Sequence, residues 1–584
     1  MPVMSDKGGR LYLVPPSEGF DPARDACLDP RFRTASNLLL ERHPYRDQNR
    51  LAADAELVSA FANWRCLELC RALESRHRTG LGTAFWRTVL VRWMFDVAQS
   101  AWQRFIAVEN AVRLFGAQPM EVPVWRAGAP ERMESSTEVS YRLLYDRRLQ
   151  WWIDSLFVAA LAPEGWRLTD TGPEASGIGA YDPPPPATEA PDNAIRHLKR
   201  RLGVVDSVGT RWGSLILAAV TRFGPKAAPR PTEKETDRKP ENLPASFTEP
   251  FEVILEALLP RSLDDMVPEQ IDRFRDLRFV PGRVRVGALD GYNDRQKVEI
   301  GLAKSAGERL IQTQHGGYYG VLKSHPAVIH IEYREDAFLS WGFDRQNGVT
   351  DGIIPVPAPM LSAIRNRHRG GERYLFVGTD IQFDNIHLTT RPRGPAWFGY
   401  VDWKRRFLAA LPGDVAAAID YRPDFRVRND LDDVAAVREA VPGMKLAKGN
   451  IVERLLASKA VILDHPGTTM NQCFAAGAPT ICYWNPADWT LDEAAEPFFD
   501  KLRLAGILHD DPASAALHIA RIDGDVTGWW SSPDVLDARN AWSRQFARTG
   551  RFWLLDWIAA YLRFVRQSRQ NPFPATTNRK ERAA

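Results

Sequence analysis

The sequence predicts an α/β protein with two Rossmann-like units, a helical N-terminal addition and C-terminal helices. Three observations carry this reading. From about residue 281 to residue 483, short apolar runs alternate with helical patterns, the order that builds parallel sheets. Two of those runs end in turns, a glycine-rich one at residues 314–320 and one with a single glycine at 464–469, where ligands of such sheets bind. Apolar residues at helical spacing flank this region, and Trp86, Val89, Leu90, Trp93, Met94 and Val97 form the broadest stripe.

Each element has its own local reason. Residues 11–14 read as a strand ended by Pro15 and Pro16, followed by an apolar run at 38–40. Residues 141–161 and 194–201 have helical periodicity. Alternation makes 283–289 a strand; 293–306 is a helix stopped by Gly307; 309–313 and 337–341 are strands. In the second unit, 373–377, 415–421, 460–464 and 479–483 are expected strands. Helices are expected over 451–458 and, after Thr469, through Ala476. The nearly apolar stretch 552–565 is too short to cross a bilayer and reads as a buried terminal helix or an interfacial membrane contact. Breaks fall near 170–192, with the run Pro183–Pro186, and near 224–246, rich in Pro, Lys and Glu.

Composition excludes several classes. The chain of 584 residues is 44% hydrophobic and 26% charged, the mix of a globular protein rather than a disordered one. Its formal charge of +3 leaves no electrostatic footprint for a dedicated nucleic-acid binder. The N-terminal residues are polar, and no apolar run is long enough for a spanning helix, so a cytoplasmic location is expected, with the inner membrane face as an option. Five cysteines without a C-x-x-C pair indicate neither a disulfide framework nor structural zinc; Cys66 and Cys70 read as reduced core thiols. P-loop, G-x-S-x-G and G-x-G-x-x-G patterns are all missing, against a P-loop kinase, an α/β-hydrolase and a typical dinucleotide dehydrogenase.

Chemistry concentrates at strand ends. Between an expected strand and helix lie Asp464, His465, Pro466, Gly467, Thr468 and Thr469, with Gln472 one turn on. A small glycine, two hydroxyls and a helix N-terminus suit a phosphate, although a threonine acting only as N-cap would look similar. The turn Gln314, His315, Gly316, Gly317 allows close approach of backbone to ligand, with His315 as a base or phosphate contact. Asp290, Asp294, Glu332 and Asp336 sit near the same strand ends, and any of them could serve as base or nucleophile. Arg422 could pair with a phosphate or carboxylate. The D-x-D of Asp430 to Asp433 reads better as a helix N-terminus than as a metal site, and no metal is expected.

Glu74, Ser75, Arg76 and His77, then Ala84 to Leu90 with Arg92 and Trp93, resemble the N-terminal signature of a transferase family from bacterial surface-polysaccharide and nonulosonic-acid gene neighbourhoods. That family pairs this helix region with a Gln-His-Gly-Gly-x-Tyr-Gly turn, here Gln314 to Gly320, and a late Asp-x-Pro-x-Thr-Thr loop, here Asp464 to Thr469. The sequence departs from it at Phe85 and Gln472. The resemblance implies a GT-B-like glycosyltransferase: an acceptor domain over 1–350, a nucleotide-sugar donor domain over 351–535, and a terminal helix with tail over 536–584. His465 and Pro466 resemble the His-Pro motif of CMP-sugar-using sialyl- and Kdo-type transferases. By that resemblance His465, Thr468 and Thr469 hold the donor phosphate, no metal or cofactor is needed, and the donor is a CMP-activated ulosonic acid. The partners implied are a nucleotide-sugar and a glycan acceptor. A UDP-sugar transferase, a CDP-glycerol-type glycerophosphotransferase and a non-catalytic glycan- or nucleotide-binding scaffold are the alternatives.

Overall fold

The computed structural model describes residues 9–16, 19–21, 24–29, 38–126, 128–172, 211–229, 238–289, 291, 293–379, 381, 386–424 and 433–570. Asp290, the expected helix at 194–201, Asp430, most of the expected linker near 170–192 and residues 230–237 of the one near 224–246 lie outside them. The N-terminal body contains β1 (Gly9–Tyr12), β2 (Ala26–Cys27), α1 (Gln48–His77), α2 (Gly82–Phe115), β3 (Met120–Val124), α3 (Ser136–Tyr145), α4 (Arg147–Leu161) and β4 (Trp166–Asp170). Its strands make a parallel sheet in the order β2-β1-β3-β4, so the addition expected to be helical carries a sheet of its own. Pro123 hid β3 from the sequence reading, because proline cannot donate to a ladder. The structure tolerates it because β1 pairs only with Met120 and Glu121.

Helix α1 starts at Asp47, whose carboxylate accepts from the backbone N–H groups of Asn49 and Arg50. Helix α2 runs through the centre of the largest core and buries Trp86, Val89, Leu90, Trp93, Met94 and Val97, the stripe seen in the sequence. The helix expected over 141–161 is two helices. Asp146 breaks it by taking the N–H groups of Arg148 and Leu149 as the cap of α4. The apolar run at 38–40 falls in a short helix, Leu38–Glu41.

Next come α5 (Arg211–Phe223), α6 (Ala245–Leu258), β5 (Val284–Val286), α7 (Asp294–Ser305), β6 (Arg309–Thr313), β7 (Ala337–Ser340) and β8 (Ile353–Pro355). The four strands form a second parallel sheet, β5-β6-β7-β8. Because β8 pairs with β7 through Phe338 and Ile353, this sheet continues past residue 350 and the division expected there falls inside it.

The third unit holds β9 (Tyr374–Val377), α8 (Trp397–Ala409), β10 (Ile419–Arg422), α9 (Asp433–Ala440), β11 (Lys445–Leu446), β12 (Val461–Leu463), α10 (Thr468–Ala476), β13 (Thr480–Tyr483), α11 (Glu496–Leu504), β14 (Leu508–His509), α12 (Pro512–Ile522), α13 (Pro533–Phe546) and α14 (Trp553–Gln570). Its six parallel strands run β11-β10-β9-β12-β13-β14, that is 3-2-1-4-5-6 in local order, the doubly wound Rossmann order. The strand expected over 415–421 starts later: Gly413–Ala417 is helical and β10 begins at Ile419. One apolar core joins the second and third sheets, from Phe338 and Ile353 to Leu375, Leu463, Cys482 and Trp542. Helix α14 turns back onto the other face of the second sheet, where Trp557, Tyr561 and Phe564 meet Val284, Ile311 and Leu339. Among the described residues, no helix is long and apolar enough to cross a membrane.

Candidate functional site

In a doubly wound sheet the strand order reverses between the first and fourth strands, and ligands bind beyond their carboxyl ends. Here those ends are Gly378–Thr379 after β9 and Asp464–Gly467 after β12. The two loops are tied together: the Thr379 N–H donates to Asp464 Oδ1 at 3.1 Å, and the Tyr400 hydroxyl, from α8, donates to Asp464 Oδ2. Lys404 Nζ lies 3.5 Å from that carboxylate. Burial opposes ionisation of Asp464, but Lys404 and the hydrogen bonds from His465 and Tyr400 outweigh it and hold the carboxyl below its usual range. Asp464 Oδ1 also lies 2.9 Å from His465 Nδ1. A carboxylate at Nδ1 fixes the proton there and leaves Nε2 as the acceptor of the neutral ring.

Helix α10 opens at Gly467, and no side chain caps it. Thr468 and Thr469 are its first two residues, so neither is its N-cap. Across from it, the loop after β6 reaches over from the second sheet. The Gly317 N–H donates to Thr468 Oγ1 at 3.0 Å. A Cβ on Gly317 would stand 2.3 Å from the Gly467 carbonyl carbon and from Thr468 N, so only glycine fits. Two motifs separated by about 150 residues thus meet backbone to backbone.

The remaining turn residues divide into braces and exposed groups. Gln314 is a brace: its amide accepts from Trp341 N–H at 2.6 Å and donates to Gly316 O at 2.8 Å. His315 is exposed at the tip. The Tyr319 hydroxyl lies 2.9–3.0 Å from both His315 ring nitrogens and donates to the Glu332 carboxylate at 2.9–3.0 Å. A hydroxyl has one proton, so Tyr319 donates to Glu332 and accepts from the imidazole. Burial pushes the Glu332 carboxyl above its usual range, against the opposing pull of His315 and Tyr319.

Other expected residues are placed differently. Asp294 is buried in a structural knot, accepting from Ser136 N–H at 2.9 Å, from the Ser136 and Ser262 hydroxyls, and from Lys297 Nζ at 2.9 Å. Its oxygens are taken, which removes it as the acceptor-activating base. Asp336 pairs with Arg309 and caps the Leu310 N–H. Arg422 Nη1 donates to Ala447 O at 2.8 Å, bracing the edge of the third sheet. Gln472 and Pro466 are buried. Asp433 pairs with Lys404 at 2.7 Å. Among the described residues, no three His, Cys, Asp or Glu side chains gather as metal ligands. The helix signature is largely a clamp: Glu74 accepts from Trp86 Nε1, Thr79, Gly80 and Gly82, while Arg76 and His77 hold Asp264.

Several site residues escaped the sequence reading. The Arg391 guanidinium stands 5.9 Å from the Tyr318 ring centroid and has no carboxylate partner among the described residues. Tyr318 in turn borders Gly467 and interacts with Thr379. His325 packs against Tyr319 at 5.6 Å between ring centroids, and its Nδ1 has no hydrogen-bond partner among the described residues. Burial and the charges of Arg92 and Arg391 push it down to about 3, so it is neutral at physiological pH. Arg92, from the helix signature, contacts His387 at 3.2 Å and Asp96 at 3.3 Å. Arg391 thus places a positive charge against the Tyr318 ring, which in turn borders Gly467 at the uncapped N-terminus of α10.

A family model for the LIC12162 family transferases matches residues 25–560. The chain belongs to this transferase family. No curated protein matches it significantly. Among solved structures, a mutant S. aureus TarM in complex with fondaparinux, α-GlcNAc-glycerol and UDP is 8% identical, with a TM-score of 0.33 over 51% of this chain and 58% of that chain. The chain thus spans little more than half of TarM. S. aureus MnaA with UDP is 7% identical, with a TM-score of 0.30 over 54% of this chain and 86% of that one. A Thermobaculum terrenum O-GlcNAc transferase mutant is 11% identical, with a TM-score of 0.31 over 91% and 98%.

Proposed function

We propose that this transferase moves a sugar from a nucleotide-activated donor onto a hydroxyl of a glycan acceptor, in the cleft between the second and third sheets. The carrying observation is the meeting of the Gly317 turn, with His315 at its tip, and the uncapped α10 N-terminus, whose Gly467 borders Tyr318, the ring that Arg391 faces. The donor phosphate lies at the α10 N-terminus near Thr468, Thr469 and His465. When the bond from the anomeric carbon to the phosphate oxygen breaks, negative charge grows on that oxygen. The helix dipole and Arg391 stabilise it. The acceptor oxygen forms the new bond to the anomeric carbon, and its proton passes to His315. Tyr319 and Glu332 orient the imidazole.

Within this reading the donor is a CMP-activated ulosonic acid, a choice that rests on the His-Pro resemblance of His465 and Pro466. A UDP-sugar or CDP-glycerol donor would use the same phosphate contacts. A thermal-shift titration with CMP, CDP, UMP, UDP and GDP tests it. A ligand that binds only the folded state adds about 2.7 kcal/mol at a hundredfold excess over its dissociation constant. A shift selective for CMP and lost in His465→Ala is expected. A shift with UDP or CDP replaces the donor, and silence from all five sinks the transfer reading in favour of a binding scaffold.

A further inference from the structure

Helices α5 and α14 lie side by side on one face of the second sheet. Leu217 of α5 shares a core there with Val284, Ile311, Trp557 and Tyr561. Hydrogen bonds join the chain just after α5 to α14. The Tyr561 hydroxyl donates to Pro225 O at 2.5 Å, Arg569 Nε to Lys226 O at 2.7 Å, and the Ala228 N–H to Ser568 Oγ at 3.2 Å. Burial fixes the inward sides: Ser214, Leu217, Ala218 and Thr221 on α5, and Trp557, Tyr561, Phe564 and Ser568 on α14. At about 100° per residue, Ile216 and Phe223 then point away from the sheet on α5, as do Leu555, Ala559 and Leu562 on α14.

The outward sides are apolar where a water-facing surface is ordinarily polar. Phe223 is 78% exposed, Phe552, just ahead of α14, is 65% exposed, and Leu555 is 64% exposed. With Ile216 and Leu562 they make five of the ten exposed large apolar side chains of the described residues. Exposed apolar residues scattered singly need no explanation, but half of them gathered on two neighbouring helices do. Positive charge gathers in the same place. Residues 211–229 and 551–570 hold seven Arg and Lys against one acidic residue, Asp556, whereas the whole chain carries only +3. Arg551 is exposed at one end of the ridge from Phe552 to Leu562, Arg563, Arg566 and Arg569 are exposed at the other, and Lys226 is exposed just beyond Phe223.

An apolar ridge with basic ends fits a surface that offers hydrocarbon beneath phosphate. The apolar tips enter to a depth of roughly 5–10 Å, and anionic headgroups meet the guanidinium groups. A protein partner would need a matching pocket for each side chain projecting from the two helices; a fluid bilayer needs none. We infer that α5 and α14 form a docking face for an anionic phospholipid bilayer, which holds the protein at the membrane surface without spanning it. The inference is independent of the cleft and of the donor reading.

Co-sedimentation of the full chain with vesicles tests it. Vesicles of equal parts phosphatidylglycerol and phosphatidylcholine should bind the protein at least tenfold more tightly than phosphatidylcholine alone. About 0.5 M salt should weaken that binding, because it screens exposed charges. Leu555→Ser with Leu562→Ser removes the apolar insertion, and Arg563→Gln with Arg566→Gln removes charge. Each pair, shown folded by circular dichroism and its melting midpoint, should weaken binding at least tenfold. Leu504→Ser with Leu517→Ser changes exposed leucines on α11 and α12 of the third unit and should leave binding intact. Four results overturn the inference: neither vesicle binds; phosphatidylcholine alone binds as tightly; the Leu504 pair weakens binding as much as the Leu555 pair; or the free protein is a dimer in sedimentation velocity that the Leu555 pair dissociates, which gives the face to a second copy.

Discussion

Gly317 and Glu332 show how much of the site depends on single atoms. A Cβ at Gly317 would meet backbone rather than a side chain that can turn away. Gly317→Ala should therefore cost about 1–3 kcal/mol, read as a lower melting midpoint, and should weaken nucleotide binding by separating the two loops. Glu332 predicts a pH effect. Burial raises its carboxyl pKa in the folded state, so its contribution to stability is complete below the unfolded value and is lost as pH rises through the folded one. Glu332→Gln stays neutral throughout. Its melting midpoint relative to the native chain should rise between pH 4 and pH 7, while turnover falls because the His315 relay is weakened; a gap that stays flat across that range would refute the assignment. Asp294→Ala tests the opposite case. It leaves Lys297, with a side chain 1% exposed, without its carboxylate, and should cost about 3–5 kcal/mol without changing turnover per folded molecule. From the sequence, Asp294 and Glu332 read alike, as carboxylates near strand ends. What separates them is Ser136 and Ser262, brought to Asp294 from distant segments. Arg391 gave no sign because its importance lies in the missing partner, and a missing partner has no motif.

At the level of elements, the central strands of the third sheet were readable where both faces are buried, as at Tyr374–Val377 and Val461–Leu463, because a parallel central strand is a continuous apolar run. Strands of the N-terminal sheet were not. β2 has two residues and β3 contains proline, so tertiary pairing rather than local preference makes them strands. The division of residues 136–161 into two helices rests on Asp146. Asp146→Ala should cost about 0.5–2 kcal/mol in urea denaturation, with the loss traceable to the α3–α4 corner by hydrogen exchange.

For the molecule as a whole, the core shared by the second and third sheets ties the two walls of the cleft into one cooperative unit. Thiol labelling can follow it. Cys66 and Cys70 are buried in the N-terminal body, Cys473 and Cys482 in the third unit, and Cys27 is partly exposed. Burial also raises the Cys473 thiol to about 12, which suppresses its reactive thiolate. Without denaturant only Cys27 should react. In rising urea, Cys473 and Cys482 should become reactive together. Labelling of one long before the other would show that the third unit opens piecemeal.

The position of α14 also sets a schedule for synthesis. The strands it covers are complete by Pro355, whereas α14 begins at Trp553, about 200 residues later. At roughly 5–20 residues per second, the ribosome needs about 10–40 s to make up that difference. Through that interval Val284, Ile311 and Leu339 wait without their cover, and a nascent chain stalled short of α14 presents an oily sheet face to whatever chaperone stands at the exit tunnel.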